Sequence, residues 1–235
     1  MTISAIGNRY NLGYFIKMRK IQSPQFAYIE SQLKTENEIK QFARIQSEKL
    51  GLQAISISQT EAILIQFIAS LIKPNKIVEI GTLTGLSSLY FLDLLPKNGK
   101  LWTFEKSIQH AELASQGLIS EIEKGRCEII VGDALVKLTE IEKKGPFDII
   151  FIDGNKSAYY NYWKWAEKNI SLNGIVIIDN VFLAGAVWGD QTQQKFNSKQ
   201  IESVQKMTSE ILENNNFKST FIPTVEGLLI AQKID

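Results

Sequence analysis

Hydrophobic and polar positions follow two periods along the chain. Short apolar runs beginning at Ile77 and spanning Lys100–Phe104, Cys127–Val131, Phe147–Ile152 and Gly174–Ile178 read as buried strands. Between them, apolar residues recur at helical spacing over Leu86–Leu95, Ile108–Glu123, Leu135–Lys144, the stretch from Asp153 to about Ile170, and Lys199–Glu213. Phe217–Ile222 and Leu228–Gln232 are two last strands, and the short link Pro223–Gly227 makes them an antiparallel hairpin. Upstream of Ile77, Ser58 is placed to cap a helix with Glu61 as its capping-box partner, and Pro74-Asn75 ends that helix. Ser23-Pro24 opens an earlier helix through Phe26, Ile29 and Leu33, and a polar helix over Glu36–Lys49 stops at Gly51. Strands alternating with helices of this length predict an α/β fold: a doubly wound, mostly parallel, seven-stranded sheet with a C-terminal antiparallel hairpin and extra N-terminal helices. Residues 1–50 are expected to be a helical appendage, serving as a lid or dimer surface, and residues 51–235 the main domain.

Composition narrows the function classes. With 235 residues and 44% hydrophobic content, the chain can bury one large core plus a small addition. Its 26 basic and 25 acidic residues leave a formal charge of +1, so no general attraction draws it to nucleic acid or an anionic membrane. Lys17, Arg19 and Lys20 form the visible basic cluster, read as a solvated face. Cys127 is the sole cysteine and sits inside an apparent strand, which excludes a disulfide within the chain and points to a structural thiol. His110, the sole histidine, falls in a predicted surface helix, so a zinc site built from several histidines is excluded. No apolar core of signal-peptide length precedes Gln22, and the apolar stretch Ala62–Ile72 is too short to span a bilayer. A soluble, cytoplasmic protein with no membrane partner is expected.

Candidate chemistry gathers where strands end. The strand at Ile77 breaks on Gly81 and Gly85 before a helix resumes, a place where a ligand can approach bare backbone. The pattern Glu79-x-Gly81-x-x-x-Gly85 lacks the third glycine of a dinucleotide fingerprint, and no Gly-Lys-Ser/Thr follows as in a phosphate loop. Successive strands then end in Glu105, Asp133, Asp153 and Asp179, on the rim where ligands bind in such sheets. Glu105 is placed for ribose hydroxyls, Asp133 for an adenine amino group, and Ser87 for a carboxylate, a set that suits an amino-acid-bearing nucleoside. Asp153, Asp179 and Asn180 offer three oxygen ligands to a hard cation such as Mg²⁺ or Ca²⁺. Lys156 follows Asp153 by three residues and faces the same opening; beside a divalent cation its protonated form is disfavoured, so it can accept a proton.

In order and spacing, Glu79-x-Gly81-Thr-x-Thr-Gly85-x-Ser87, Gly132-Asp133-Ala134, Phe151-Ile-Asp-Gly-Asn-Lys156 and Ile178-Asp-Asn-Val181 resemble the cation-dependent S-adenosylmethionine O-methyltransferase family. That family includes caffeoyl-CoA and catechol O-methyltransferases and many bacterial relatives, and the resemblance covers roughly residues 52–234. It implies a class I methyltransferase, Rossmann-like fold. It also implies an S-adenosyl-L-methionine pocket lined by Glu79, Gly81, Ser87, Glu105, Asp133, Ala134 and Asp153, with Ile57 contributing backbone. Asp153, Asp179 and Asn180 would hold the divalent cation, and Lys156 would be the base. The activity implied is methyl transfer to a hydroxyl of a small phenolic, catechol-like acceptor by a homodimer. Two features depart from the family: Asn155 stands where many members carry a carboxylate, and the segment Leu183–Asp190 with Trp188 occupies the place of substrate-facing residues. Two other readings stand beside this one. Some bacterial relatives methylate a hydroxylated wobble uridine of tRNA, which the near-neutral charge disfavours. A non-catalytic cofactor-binding module would have no use for Lys156.

Overall fold

Every residue of β1 (Lys76–Ile80) after Lys76 is buried. Such a strand, covered by helices on both faces, reads as continuous apolar sequence rather than as alternation. It pairs in parallel with β2 (Lys100–Glu105) on one side and β4 (Phe147–Ile152) on the other. β3 (Cys127–Val131) lies outside β2, and β5 (Ile170–Ile178) outside β4, both again parallel. β6 (Phe217–Ile222) and β7 (Leu228–Lys233) form the expected hairpin, with β7 inserted antiparallel beside β5. The sheet order is therefore β3-β2-β1-β4-β5-β7-β6, the expected seven-stranded, doubly wound, mostly parallel α/β sheet. The structure is a computed structural model that describes residues 24–52, 55–190 and 196–235; the Lys17, Arg19, Lys20 cluster lies outside them.

The helices are α1 (Pro24–Gln32), α2 (Glu38–Lys49), α3 (Gln59–Ser70), α4 (Leu86–Leu92), α5 (Ile108–Glu123), α6 (Ala134–Lys137), α7 (Tyr159–Asn169) and α8 (Ser198–Glu213). Adjacent strand residues point to opposite faces, so the sheet divides the core in two. Val78, Ile150 and Ile152 pack with Tyr159 and Trp163 of α7 and Met207 of α8. Ile77, Ile149 and Phe151 pack on the other face with Ile65 of α3, Phe91 of α4 and Leu118 of α5. Among the described residues no helix is long and apolar enough to cross a membrane.

Several local expectations are corrected. The helix expected over Leu135–Lys144 is α6 followed by a 3₁₀ turn, Leu138–Lys144. Its buried residues, Leu138 and Ile141, are three apart, and three residues per turn places both on the core side. β5 starts at Ile170 rather than Gly174. Phe147 pairs with Ile170, the register then shifts, and Ile149 pairs with Ile175, so the intervening residues bulge out with Asn173 at positive φ. At Ser58 the hydroxyl accepts the Glu61 N–H at 3.2 Å and donates to the Glu61 carboxylate at 2.9 Å. The reciprocal capping box occurs instead at Asn197 and Gln200, ahead of α8. The loop expected over residues 183–190 contains a kinked 3₁₀ turn, Leu183–Trp188.

Candidate active site

A cavity of about 1130 Å³ opens at the carboxyl ends of β1, β2, β3 and β4. Its floor is the β1–α4 turn. Gly81 has φ +107°, and a Cβ there would lie 2.2 Å from the Asp153 carbonyl oxygen, so only glycine lets the ends of β1 and β4 approach this closely. Gly85 caps α4 in the left-handed conformation and sits against Leu118. Ser87, in the first turn of α4, is on the cavity wall. Glu79 is not on that wall. It is fully buried beneath the turn, where its Oε2 accepts the hydroxyls of Thr103, at 2.6 Å, and Ser88. Burial pushes its carboxyl up to about 7, against the pull of those hydroxyl donors. Glu79 therefore braces the glycine turn from below rather than facing the cavity.

Glu105 ends β2 on the wall, with Oε2 accepting the Leu83 N–H and Oε1 the Ser107 N–H, each at 2.8 Å. It thereby ties the glycine turn to the start of α5. His110 Nδ1 lies 3.7 Å from Glu105 Oε1 and faces the cavity, where a surface position was expected. The reason is helical direction: side chains of a first turn lean toward the helix N-terminus, here the strand ends. Asp133 caps α6 through the Leu135 N–H at 3.1 Å and is also on the wall, beside Ala134. The Lys106 ammonium, 3.0 Å away, holds its carboxyl below the usual range. Ile57 lines the cavity too, but its carbonyl is taken by Arg44 of α2 at 3.1 Å. Arg44 forks onto both oxygens of Glu36, at 2.7 and 2.6 Å, and Tyr90 of α4 donates to Glu36 at 2.8 Å. The segment of Glu36 and α2 is thus fastened to the cavity wall by a buried charged network.

The second half of the site lies at the ends of β4 and β5. The pairing Ile152↔Ile178 continues by one step, with the Asp179 N–H on the Ile152 carbonyl at 3.0 Å, so Asp153 and Asp179 are cross-strand neighbours about 4.8 Å apart. Asp153 and Asn180 are on the cavity wall, whereas Asp179 is fully buried behind it and accepts the Asn180 N–H at 2.7 Å. Asn180 has φ +59°, a left-handed conformation that asparagine tolerates and that turns its side chain back to the opening. Lys156 Nζ donates to Asp153 Oδ1 at 2.7 Å and to the Tyr159 hydroxyl at 2.6 Å, while that hydroxyl donates to the Asp179 carbonyl at 3.0 Å. Among the described residues no three His, Cys, Asp or Glu side chains meet in a metal-ligating group. A cation here would depend on Asn180 for its third protein donor, and two carboxylates with an amide oxygen are a donor set of the kind that suits Mg²⁺ or Ca²⁺.

Residues that sequence reasoning missed close the outer end. The β6–β7 turn reaches the segment after Asn180: the Val181 N–H donates to the Gly227 carbonyl at 3.1 Å and the Phe182 N–H to the Glu226 carbonyl at 3.0 Å. A Cβ on Gly227 would lie 2.4 Å from the Phe182 ring, which in turn meets Trp188 edge-on at 5.6 Å. Val225 and Glu226 consequently join Trp188, Phe196 and Tyr162 around the cavity. The sequence signal for this was only a glycine in a short turn.

Residues 29–234 match the O-methyltransferase family model, a match that begins inside α1, upstream of the boundary expected near residue 52. A catechol O-methyltransferase from Niastella koreensis is 36% identical over 149 residues, spanning 61% of this chain and 66% of that protein. Caffeoyl-CoA O-methyltransferase 1 from Eucalyptus globulus is 24% identical over 185 residues, 77% of this chain and 75% of that one. The solved O-methyltransferase TomG from Streptomyces achromogenes, in complex with SAM, superposes with a TM-score of 0.81 at 28% identity, over 89% of this chain and 95% of that one. The chain belongs to the O-methyltransferase family, and it is an S-adenosylmethionine-dependent enzyme of that kind.

Proposed function

We propose that the enzyme methylates one hydroxyl of a small catechol-like acceptor and depends on a divalent cation to do so. The observation that carries this reading is the grouping of Asp153, Asp179 and Asn180 with Lys156, at the β4–β5 end of the same cavity whose floor is the glycine turn. Gly81 and Ser87 would receive the amino-acid end of S-adenosylmethionine, Glu105 its ribose and Asp133 with Ala134 its adenine. Glu79 would act from beneath, and Ile57 from the opposite wall. When bound, S-adenosylmethionine would supply an electrophilic sulfonium methyl and a divalent cation held by Asp153, Asp179 and Asn180 would supply positive charge that favours an ionised acceptor oxygen. A free phenol ionises near ~10, so little is ionised at neutral pH. In its uncharged form Lys156 would take the departing hydroxyl proton at Nζ, and Tyr159 and Asp153 fix where that nitrogen sits. Shape and position of the wall hold the acceptor oxygen in line with the methyl group.

Exposed Tyr28 and Ile29 on α1, with Phe67 on α3 and Leu71 just after it, support a self-association face and hence a homodimer. A cytoplasmic setting belongs to the same proposal.

The test is transfer of labelled methyl from S-adenosylmethionine to a catechol panel, with bulk tRNA in parallel, each with magnesium or with chelator. Label on a catechol that disappears with chelator supports the reading. Replacing Lys156 by methionine is expected to lower turnover by about 10²–10⁴-fold while cofactor binding persists. Label on RNA alone moves the acceptor to a wobble uridine. No label on either, with cofactor still bound, refutes catalysis on these acceptors.

A further inference from the structure

We infer that Glu226 sorts acceptors by charge: it admits catechols whose tail is neutral or positively charged and disfavours those carrying carboxylate or phosphate. The inference rests on the catechol reading above. Among the described residues, the lysines on the cavity wall are Lys106 and Lys156, and each is already ion-paired, with Asp133 at 3.0 Å and with Asp153 at 2.7 Å. A phosphate-bearing tail, such as a coenzyme A ester brings, calls for charge-assisted donors, and among the described residues those of this wall are already paired with carboxylates. Glu226, by contrast, is half-buried on the wall, and among the described residues its carboxylate makes no hydrogen bond or ion pair.

Its place is fixed by backbone. The Glu226 carbonyl accepts the Phe182 N–H, two residues after Asn180, and Gly227 leaves room for the Phe182 ring that supports Trp188. Glu226 therefore lines the end of the cavity next to Asn180, on a wall it shares with the apolar side chains Val225, Trp188 and Phe196. Such surroundings screen a charge less than water does. For a tail charge about 8 Å away and an effective dielectric of about 40, the discrimination is about fivefold in kcat/KM per unit of charge.

The experiment compares three acceptors that share the vicinal hydroxyls: an aminoethyl catechol, 4-methylcatechol and dihydroxycinnamate, the last also as its coenzyme A ester. Each is measured with the wild-type protein, Glu226→Gln and Glu226→Lys. The expected wild-type order is ammonium above neutral above carboxylate, with the ester last. Glu226→Gln should bring the ammonium-to-carboxylate ratio down from about 25-fold to near unity, and Glu226→Lys should invert it, each value being read relative to 4-methylcatechol in the same variant. A wild-type preference for the carboxylate or the ester, or a ratio unmoved by both substitutions, overturns the inference and leaves the parent reading intact. Loss of 4-methylcatechol turnover in both variants also overturns it, because Glu226 would then serve catalysis rather than selection. No turnover of any catechol by the wild type overturns the parent reading, and the inference falls with it.

Discussion

Replacing Glu79 by glutamine isolates the energetics of the carboxyl beneath the glycine turn. In the folded protein burial raises this group from its ordinary 4.5 to about 7. Below pH 4.5 both folded and unfolded chains hold the proton, and its contribution to stability is fully present. Between 4.5 and 7 the unfolded chain releases the proton while the folded chain keeps it, so stability falls as pH rises. Above 7 the folded chain has released it too, and the loss is complete. The span corresponds to about 3 kcal/mol. Glutamine keeps the shape and the acceptor oxygen for Thr103 and Ser88 but has no proton to lose. Urea unfolding of both proteins between pH 4.5 and 8 reads the effect as a difference, in which all other titrating groups cancel. The wild type should lose about 3 kcal/mol relative to Glu79→Gln across that range. A difference that stays flat, or that rises with pH, refutes the assignment of a neutral buried carboxyl below pH 7.

Two more outcomes follow from the same geometry. Arg44→Met leaves the Glu36 carboxylate and the Ile57 carbonyl without their guanidinium; a buried pair broken on one side costs about 3–5 kcal/mol. Calorimetry should show the melting temperature lowered by roughly 6–12 °C or more, and a shift under about 2 °C would remove the network's structural role. Gly81→Ala forces a Cβ against the Asp153 carbonyl, so either the turn or Asp153 must move. Titration with S-adenosylhomocysteine should then show affinity reduced by at least about tenfold, an effect of 1.4 kcal/mol, whereas unchanged affinity would mean that the turn does not hold the cofactor.

The strand ends were legible in the sequence because each of Gly81, Glu105, Asp153 and Asp179 directly follows or closes a largely apolar run, with Asp133 one glycine beyond another, and chain order alone places them on one rim of a parallel sheet. The hairpin was legible from the shortness of its link. What periodicity could not separate was an α-helix from a 3₁₀ turn at Leu138–Lys144, since residues three apart satisfy either over so short a stretch. Nor could it find the true start of β5, because the extra residues bulge rather than pair.

The sequence by itself determined which chemistry is available: a glycine turn, a rim of acids and one lysine spaced one turn from Asp153. Only the tertiary structure decided which of those groups face the ligand. Glu79 and Asp179 turn out buried, and His110 turns inward. The turn carrying Glu226 packs against the segment just after Asn180 although the chain separates the two widely. Local pattern fixes a residue's element and its distance along that element. Orientation toward a cavity depends on neighbours brought together by sheet pairing and by close approaches such as Gly81 on Asp153 and Gly227 on Phe182, which are contacts between distant segments that no local period encodes.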